Sequence, residues 1–574
     1  MAFSILIIIM KIRCYISLLC LLVLFCCIDG VKAQNTIGTL LYNAEKSLGG
    51  YHLIYPNRQS TVYLMDECGQ IVHRWEDEDE GARPGAVAYL LPNGQILKAK
   101  NYAPLFNGPS FSAGGSGGVV QLVSWENEVL WTYVVADSVY RQHHDVHPMP
   151  NGNVLILAYE NHLLEDIVEN GFDTISYDQR SLWSEMILEI DPVTDSIVWE
   201  WHLWDHLVQE HDSGAQNYNR VAAHPERVNI NYQEFSESRS DWAHANALDY
   251  NEALDQIMIS ARNFNEIWII DHSTTTEEAA GAVGGISGKG GDLLWRWGSP
   301  HAYNQGTLEE QQLFWNHDAQ WIDDFVDTSY LHYGAVAVFN NFIDYEVENG
   351  RSRGQIITPV YDTIDHHYVL EDSTFLPSSF SATFSHPDPA QNFSSSGSSI
   401  QLMGDGHVIM CAALQGRSFE LDETGELVWE YLTPLFNGLQ FTQGFQLETA
   451  DNVTFQVERY PRDYAAFIGK DLSPQGYLEL EPNEEFCSVV AIDEPREEES
   501  SLMIFPNPST GQFTVNVEMG AIGQILTVRD ARGVVLLQKT LRANSTELDM
   551  SNYPAGMYLL QISGKSDVKK LILK

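Results

Sequence analysis

The 574-residue chain carries 78 Asp and Glu against 32 Lys and Arg, a formal net charge of −46 at pH 7. That charge repels nucleic acid and anionic lipid, which excludes both as partners, and suits an exported, soluble surface. The chain is rich in Gly, Tyr, Phe and Trp and long enough for several cores, which points to an all-β protein.

At the N-terminus Lys11 and Arg13 precede an apolar run from Ile16 to Ile28, and Val31-Lys-Ala33 puts small residues where a signal peptidase reads. A signal peptide over residues 1–33 is predicted, cleaved after Ala33. The run is too short for a stable membrane span, and the bulky Phe25 ahead of Cys26 and Cys27 argues against lipid attachment. Cleavage removes Cys14, Cys20, Cys26 and Cys27. The remaining Cys68, Cys411 and Cys487 allow one disulfide at most and form no zinc or iron–sulfur set.

Residues 34–486 repeat one pattern, a turn followed by an apolar strand and later a strand closing on Trp. Turn-and-strand copies stand at Leu91–Leu97, Pro150–Leu157, Asp255–Ser260, Gly334–Phe339, Gly406–Met410 and, more weakly, Asn452–Gln456, six in all. Trp copies end at Trp75, Trp131, Trp199, Trp295 and Trp429, with a degenerate copy near Tyr368. A six-bladed β-propeller is the predicted fold. Trp75 precedes the first turn, so the N-terminal strand is expected to complete the last blade and close the ring, a closure that leaves few exposed edges.

Three histidines share one register in these repeats. His144 lies seven residues before Asn151-Gly152, His244 seven before the turn at Asn251, and His317 six before Asp323-Asp324. On inner strands of consecutive blades, all three imidazoles emerge at one end of the central channel. The strand leaving His244 turns near Asn251 and returns to Arg262, which makes the two neighbours. A guanidinium beside several imidazoles is a poor apolar core and a good receptor for a tetrahedral oxyanion. It also repels a divalent cation, and no HExxH pair accompanies it, so no metal is assigned. His143 and His147 flank His144, and either neighbour is able to take its place. His386 stands outside the register and is expected in a loop. The long segment from Glu160 to Ser240 is a candidate lid or partner surface.

A charged linker spans 487–501, and a compact β pattern over 502–574 predicts a small C-terminal β-sandwich. Its landmarks are Phe505-Pro-Asn-Pro508, Val528-Arg-Asp530, Gly533, Pro554-Ala-Gly-Met-Tyr558 and the ending Lys569-Lys-Leu-Ile-Leu-Lys574. These resemble the C-terminal sorting domain of proteins exported by the type IX secretion system of Bacteroidota. The resemblance implies engagement with that machinery, passage across the outer membrane, and release or attachment at the cell surface.

His143-His144-Asp145 before Met149-Pro-Asn-Gly-Asn153, His244-Ala-Asn246, Ser260-Ala-Arg262, Asn316-His317-Asp318-Ala319 and Gly416-Arg417-Ser-Phe-Glu420 with Trp429 resemble, over roughly residues 60–480, the bacterial arylsulfate sulfotransferases. The resemblance implies a six-bladed propeller that moves a sulfuryl group from an aryl sulfate donor to a phenolic acceptor with no nucleotide donor or cofactor. It implies His317 as nucleophile, with catalytic His144, His244 and Arg262 around the sulfate and the phenolic oxygen. Asn246, His143 and His147 are the substrate-binding candidates. A homodimer is the assembly the resemblance leaves open. Two other readings compete: a quinoprotein-type dehydrogenase, disfavoured by six repeats and a His/Arg-lined mouth, and a non-catalytic propeller binding glycans or aromatic metabolites.

Overall fold

The computed structural model describes residues 35–574 apart from 80, 103–112, 176, 178, 233–239, 343–350, 490–501, 506–508, 518–520, 531–533, 544 and 564–567. The expected signal peptide, most of the linker, and the Pro506-Asn-Pro508 and Gly533 landmarks lie outside the described residues. The chain forms two compact units, residues 1–490 and 491–574.

The first unit is built of antiparallel meanders of four strands, the sheet unit that a propeller repeats. Their inner strands are Arg83–Leu90, Tyr140–Pro148, Ala245–Asn251, His317–Trp321, Ser399–Met403 and Thr454–Tyr460. The last of these pairs with the N-terminal strand Tyr51–Pro56, which continues through Val62–Met65 to Ile71–Trp75. Closure therefore joins three N-terminal strands to one strand from the far end of the unit. A further strand, Gly38–Tyr42, adds to the outer edge of the sheet that starts at Ser399.

The recurring Trp has a physical reason: each indole is buried and its N–H reaches the next sheet. Trp75 donates to the Ser124 carbonyl, Trp131 to Asp195, Trp199 to Thr274 Oγ1 and Trp429 to the Glu67 carbonyl. A buried Trp supplies large apolar area and needs a partner for its one donor, and these contacts satisfy both demands. The closing strand expected near Tyr368 is displaced. Ala382–Phe384, which has no Trp, fills that place in its sheet, and Tyr368 sits on a separate two-stranded hairpin packed against Trp295. The tight turn expected at Asp323-Asp324 is also absent. The chain returns only at Val336–Asn340, with the loop pinned by Ile322 N–H on the Ala335 carbonyl at 2.8 Å. Between Glu160 and Ser240, Ile167, Phe172, Leu203, Leu207, Val228 and Ile230 are buried in one core with Trp242, so this part buttresses a sheet rather than standing off it as a lid.

A circuit of polar bonds links the inner strands. Asp145 accepts from Leu248 N–H (2.8 Å), Asp249 from Trp321 N–H (2.6 Å) and Asp318 from Ile400 N–H (2.7 Å). Gln401 accepts from Arg459 N–H (2.9 Å), Tyr460 Oη from Leu90 N–H (2.8 Å), and Tyr89 Oη donates to Asp145 (2.8 Å). Each bond satisfies a group on an inner edge that has no ladder partner.

The second unit packs a three-stranded sheet (Leu502–Phe505, Gln512–Val517, Ser545–Asp549) and a four-stranded sheet (Ile525–Asp530, Val535–Thr540, Gly556–Ile562, Val568–Leu573) around Phe513, Val515, Leu526, Leu548, Leu560 and Leu571. It is a small β-sandwich.

Cys68 and Cys487 are bonded, with Cα atoms 5.7 Å apart, and Cys411 is buried and free. The bridge ties the end of the first unit to the sheet that closes it. Cys68→Ser is expected to lower stability by about 2–4 kcal/mol, read as a lower melting temperature than wild type without reductant. Equal melting temperatures would overturn the bridge's role.

Candidate active site

His144 lies within a bulge of its inner strand, His317 borders one, and His244 stands just ahead of one. Gln142 pairs with Ala158 and Val146 with Ile156, so His143, His144 and Asp145 together face Leu157. Ala245 pairs with Ala261 and Leu248 with Ile259, and His317 pairs with Phe339 while Gln320 pairs with Ala337. His144 (φ 49°), His244 (φ 50°) and Asp318 (φ 55°) adopt the left-handed region. A bulge re-aims side chains that strict alternation would send to opposite faces, and so supplies the convergence.

His317 is 2 % exposed, and its Nδ1 donates to the Trp315 carbonyl (2.9 Å) and Asn341 Oδ1 (2.8 Å). With the hydrogen fixed on Nδ1, the lone pair lies on Nε2, which accepts the Gly397 N–H at 3.0 Å. Burial, then the charge of Arg262, push this imidazole down to about 3 against the hydrogen bonds of Asn341 and Trp315, so it is neutral at pH 7. Arg262 follows the strand Gln256–Ala261, with its N–H on the His244 carbonyl at 3.3 Å. Its guanidinium lies 4.8 Å over the Trp315 ring and donates to Asn263 Oδ1. Asn246 gives one amide hydrogen to the Asn316 carbonyl (2.8 Å), and its buried Oδ1 has no partner among the described residues.

The His144 and His244 rings stand edge to face, 4.7 Å between centroids, and Phe455 lies 5.9 Å from His144 and 6.0 Å from His317. His244 Nδ1 meets Asp241 Oδ2 at 2.5 Å. Burial raises the Asp241 carboxyl, and the charge and hydrogen bond of His244 outweigh it, leaving it below its ordinary value. Burial first, then His244, His143, His317 and Arg262, hold His144 well below the usual imidazole range. The Gly114-Gly115 backbone lies flat on this pair: a Cβ at Gly115 would collide with the His144 ring, and one at Gly114 would stand 3.1 Å from His244 Cε1.

The structure thus brings together His144, His244, Asn246, Arg262 and His317, and separates two candidates from them. His143 backs His144 and offers nothing to a substrate, because its Nδ1 meets His144 Nδ1 and its Nε2 meets Glu185, both at 2.9 Å. His147 lies two residues beyond Asp145, in the regularly paired part of the strand toward the turn, 3.6 Å from Asp249. It lines a cavity of about 620 Å³ with Asp145, Asp249, Asp318, Asp324 and Glu458. Burial pushes His147 down to about 4, Asp145 and Asp318 up to about 7 and Glu458 up to about 8. His386 is a buried loop residue 3.4 Å from Glu430. Among the described residues, one set of three ligand-type groups falls within 4.8 Å, Asp362, Asp365 and His367, on the Tyr361–Tyr368 hairpin and not at the histidines. Sequence reasoning assigned no role to Glu185, Asp241, Asn341, Gly397 or the two glycines. The Ala113-Gly-Gly-Ser-Gly-Gly118 run was the visible signal for the last of these.

Three imidazoles and a guanidinium thus converge on an all-β scaffold beside the aromatic rings of Phe455 and Trp315. The family model for arylsulfotransferase (ASST) matches residues 46–355, which contain all five converging residues. The chain belongs to the arylsulfotransferase family, and that membership supports arylsulfotransferase activity in general. The model of the secretion system C-terminal sorting domain matches residues 503–574, which indicates export to the surface or medium and interaction with the secretion machinery. No curated protein matches the sequence. Similar solved structures include a protein of unknown function from Bacteroides caccae (10 % identity, TM-score 0.38, 71 % of this chain and 98 % of that one). A virginiamycin B lyase from Staphylococcus aureus (10 %, 0.31, 70 % and 89 %) and a streptogramin B lyase (8 %, 0.32, 75 % and 96 %) are also similar.

The raised carboxyls of the cavity have a thermodynamic signature. A carboxyl at about 7 in the folded chain and near 4 when unfolded lends stability in full below about pH 4, and this is lost as pH rises through about 7. An Asn at 318 keeps the oxygen that accepts from Ile400 N–H and Gln320 Nε2. Asp318→Asn is therefore expected to raise the melting temperature at pH 8, by a stability gain on the order of 1–3 kcal/mol, and to change it little at pH 4. An equal shift at both pH values would contradict the assignment.

Proposed function

We propose that the protein moves a sulfuryl group from an aryl sulfate to His317 and from there to a phenolic acceptor, in two half-reactions, with no nucleotide donor and no cofactor. In the first, His317 Nε2 attacks sulfur, the bond from sulfur to the aryl oxygen breaks, and the departing phenolate takes a proton. In the second, the acceptor hydroxyl loses its proton, its oxygen attacks sulfur, and the N–S bond breaks. The observation that carries this reading is the tautomer of His317: Nδ1–H is held by two acceptors, so the lone pair is on Nε2 in the company of Arg262, His144 and His244. A neutral imidazole is a competent nucleophile, and the ring turned cationic by sulfation keeps both Nδ1 acceptors.

Attack requires the Gly397 N–H to leave Nε2. Released, that amide joins Arg262 as a donor to the sulfuryl oxygens, whose charge must be met for transfer of this kind. His244, braced by Asp241, supports the same oxygens, Asn246 orients, and His144 exchanges the proton with the phenolic oxygen. Phe455 and Trp315 offer apolar faces to an aryl group. We further read each of the six sheets of four or five strands in the first unit as one blade of a six-bladed propeller over residues 34–486, followed by a linker to residue 501 and the sorting domain over 502–574.

The test is turnover of a chromogenic aryl sulfate by mature protein, with and without an added phenol, beside His317→Ala. Phenol-dependent release is expected in wild type, with a loss on the order of 10³-fold or more in the variant. Equal release by the variant would remove His317 from the reaction, and no release from any donor would favour a binding protein.

A further inference from the structure

Behind His144 lies a buried chain of polar groups that the transfer itself does not use. Glu185, on the strand Ser181–Asp191, and His143 are both fully buried. Glu185 Oε1 accepts the Ala245 N–H at 3.0 Å and Oε2 meets His143 Nε2 at 2.9 Å. The opposite nitrogen of His143, Nδ1, meets His144 Nδ1 at 2.9 Å. A carboxylate only accepts, so His143 Nε2 bears hydrogen. In a neutral His143 the Nδ1 is then an acceptor, and the facing Nδ1 of His144 must donate, which leaves the His144 lone pair on Nε2.

We propose that Glu185 and His143 form a proton relay behind His144 and hold the proton that His144 exchanges with the phenolic oxygen. This rests on the transfer reading above. When the acceptor hydroxyl attacks sulfur, its proton goes to His144 Nε2 and the Nδ1 hydrogen of His144 crosses to His143 Nδ1. His144 ends neutral in its other tautomer, and the positive charge rests on His143 beside the Glu185 carboxylate. In the donor half-reaction the sequence runs backwards and the proton returns to the departing phenolate, so protons balance over the cycle.

The surroundings favour the charge on His143. His144 is faced by His244, His317 and Arg262, all of which oppose a second positive charge. His143 is faced by Glu185, by the Tyr159 ring stacked on it at 3.5 Å from the strand Val154–Leu163, and by Asp241 ahead of the strand Ala245–Asn251. A base that cannot itself keep a proton is useful in both half-reactions only if something behind it can. His143 and Glu185 are positioning residues in this scheme, since neither touches substrate.

Glu185→Gln separates the relay from a merely structural tie. Gln keeps an oxygen for Ala245 N–H and puts an amide on His143 Nε2. That reverses the chain and fixes hydrogen on His144 Nε2 with no exit for it. With full-length mature protein and aryl sulfates graded from 4-nitrophenyl to phenyl, we expect the single-turnover rate of phenol release, which excludes the acceptor half-reaction, to fall about 10²–10⁴-fold for phenyl sulfate. A far smaller loss is expected for the 4-nitrophenyl ester, whose leaving group needs no proton. A uniform loss across the series, or none, overturns the relay. Run in parallel, His317→Ala tests the transfer itself, so a His317-dependent reaction with a uniform Glu185→Gln loss sinks the relay alone. Nitrogen-15 spectra of histidine-labelled wild type, followed over pH, provide a measure independent of turnover and of the variant's folding: proton uptake on His143 together with a shift of the His144 hydrogen from Nδ1 to Nε2 supports the relay, and a His144 that keeps one tautomer throughout overturns it.

Discussion

The structure depends on how the inner strands meet one another. An inner strand has a ladder partner on one side only, and its other edge faces its counterpart in the next sheet, where a regular ladder cannot form. Unpaired N–H groups buried there would each cost about 1–3 kcal/mol. Asp145, Asp249, Asp318, Gln401, Tyr460 and Tyr89 remove that cost by hydrogen bonding to the neighbouring strand or its side chain, and the chain of such bonds returns to its starting strand. At the outer edge the buried Trp indoles do the corresponding work between sheets. Inner polar bonds and outer indoles together join neighbouring sheets at both edges.

The site follows from the same constraint. Asp145 and Asp318 directly follow His144 and His317 in the chain. For each Asp to reach the neighbouring strand while each His turns to the cluster, the strand must break its alternation, and the bulges with their positive φ at His144, His244 and Asp318 do this. A β-branched residue could not hold these backbone angles cheaply, whereas His and Asp tolerate them better. Convergence of the imidazoles and lateral bonding of the inner strands are therefore two consequences of one local distortion.

This explains what the sequence showed and what it concealed. The apolar strands, the Trp copies and the common spacing of His144, His244 and His317 from their turns are periodic, and periodic signals survive without coordinates. Arg262 was also legible, because a hairpin makes its two ends neighbours. The choice among His143, His144 and His147 stayed open in the sequence because a bulge is an aperiodic event: counting alternate residues does not say which of 143–145 turns to the cluster when all three face Leu157. The Asp323-Asp324 turn misled for a related reason, since turn-favouring residues mark a change of direction but not the length of loop that follows it. Glu185, Asn341 and Gly397 were invisible because they come from other strands and loops and act through single hydrogen bonds, which leave no pattern along the chain.

A net charge of −46 stands against a site for an anionic sulfate ester, and the carboxylates of the neighbouring cavity would add to the opposition were they all ionised. Surface charges more than about 8 Å away are largely screened at physiological salt, so the nearby groups decide. Burial raises Asp145 and Asp318 to about 7 and Glu458 to about 8, with Asp145 adding to the rise of Asp318, and Asp318 and Asp145 to that of Glu458. At neutral pH the cavity therefore bears much less negative charge than its composition states. Arg262 keeps its charge at any relevant pH; burial and that charge hold His144 and His317 below the usual imidazole range, while the carboxylates Asp241 and Glu185 stand behind His244 and His143. The local field at His317 is thus positive while the molecule as a whole is strongly negative, because burial discharges the acids beside the site and leaves the guanidinium untouched.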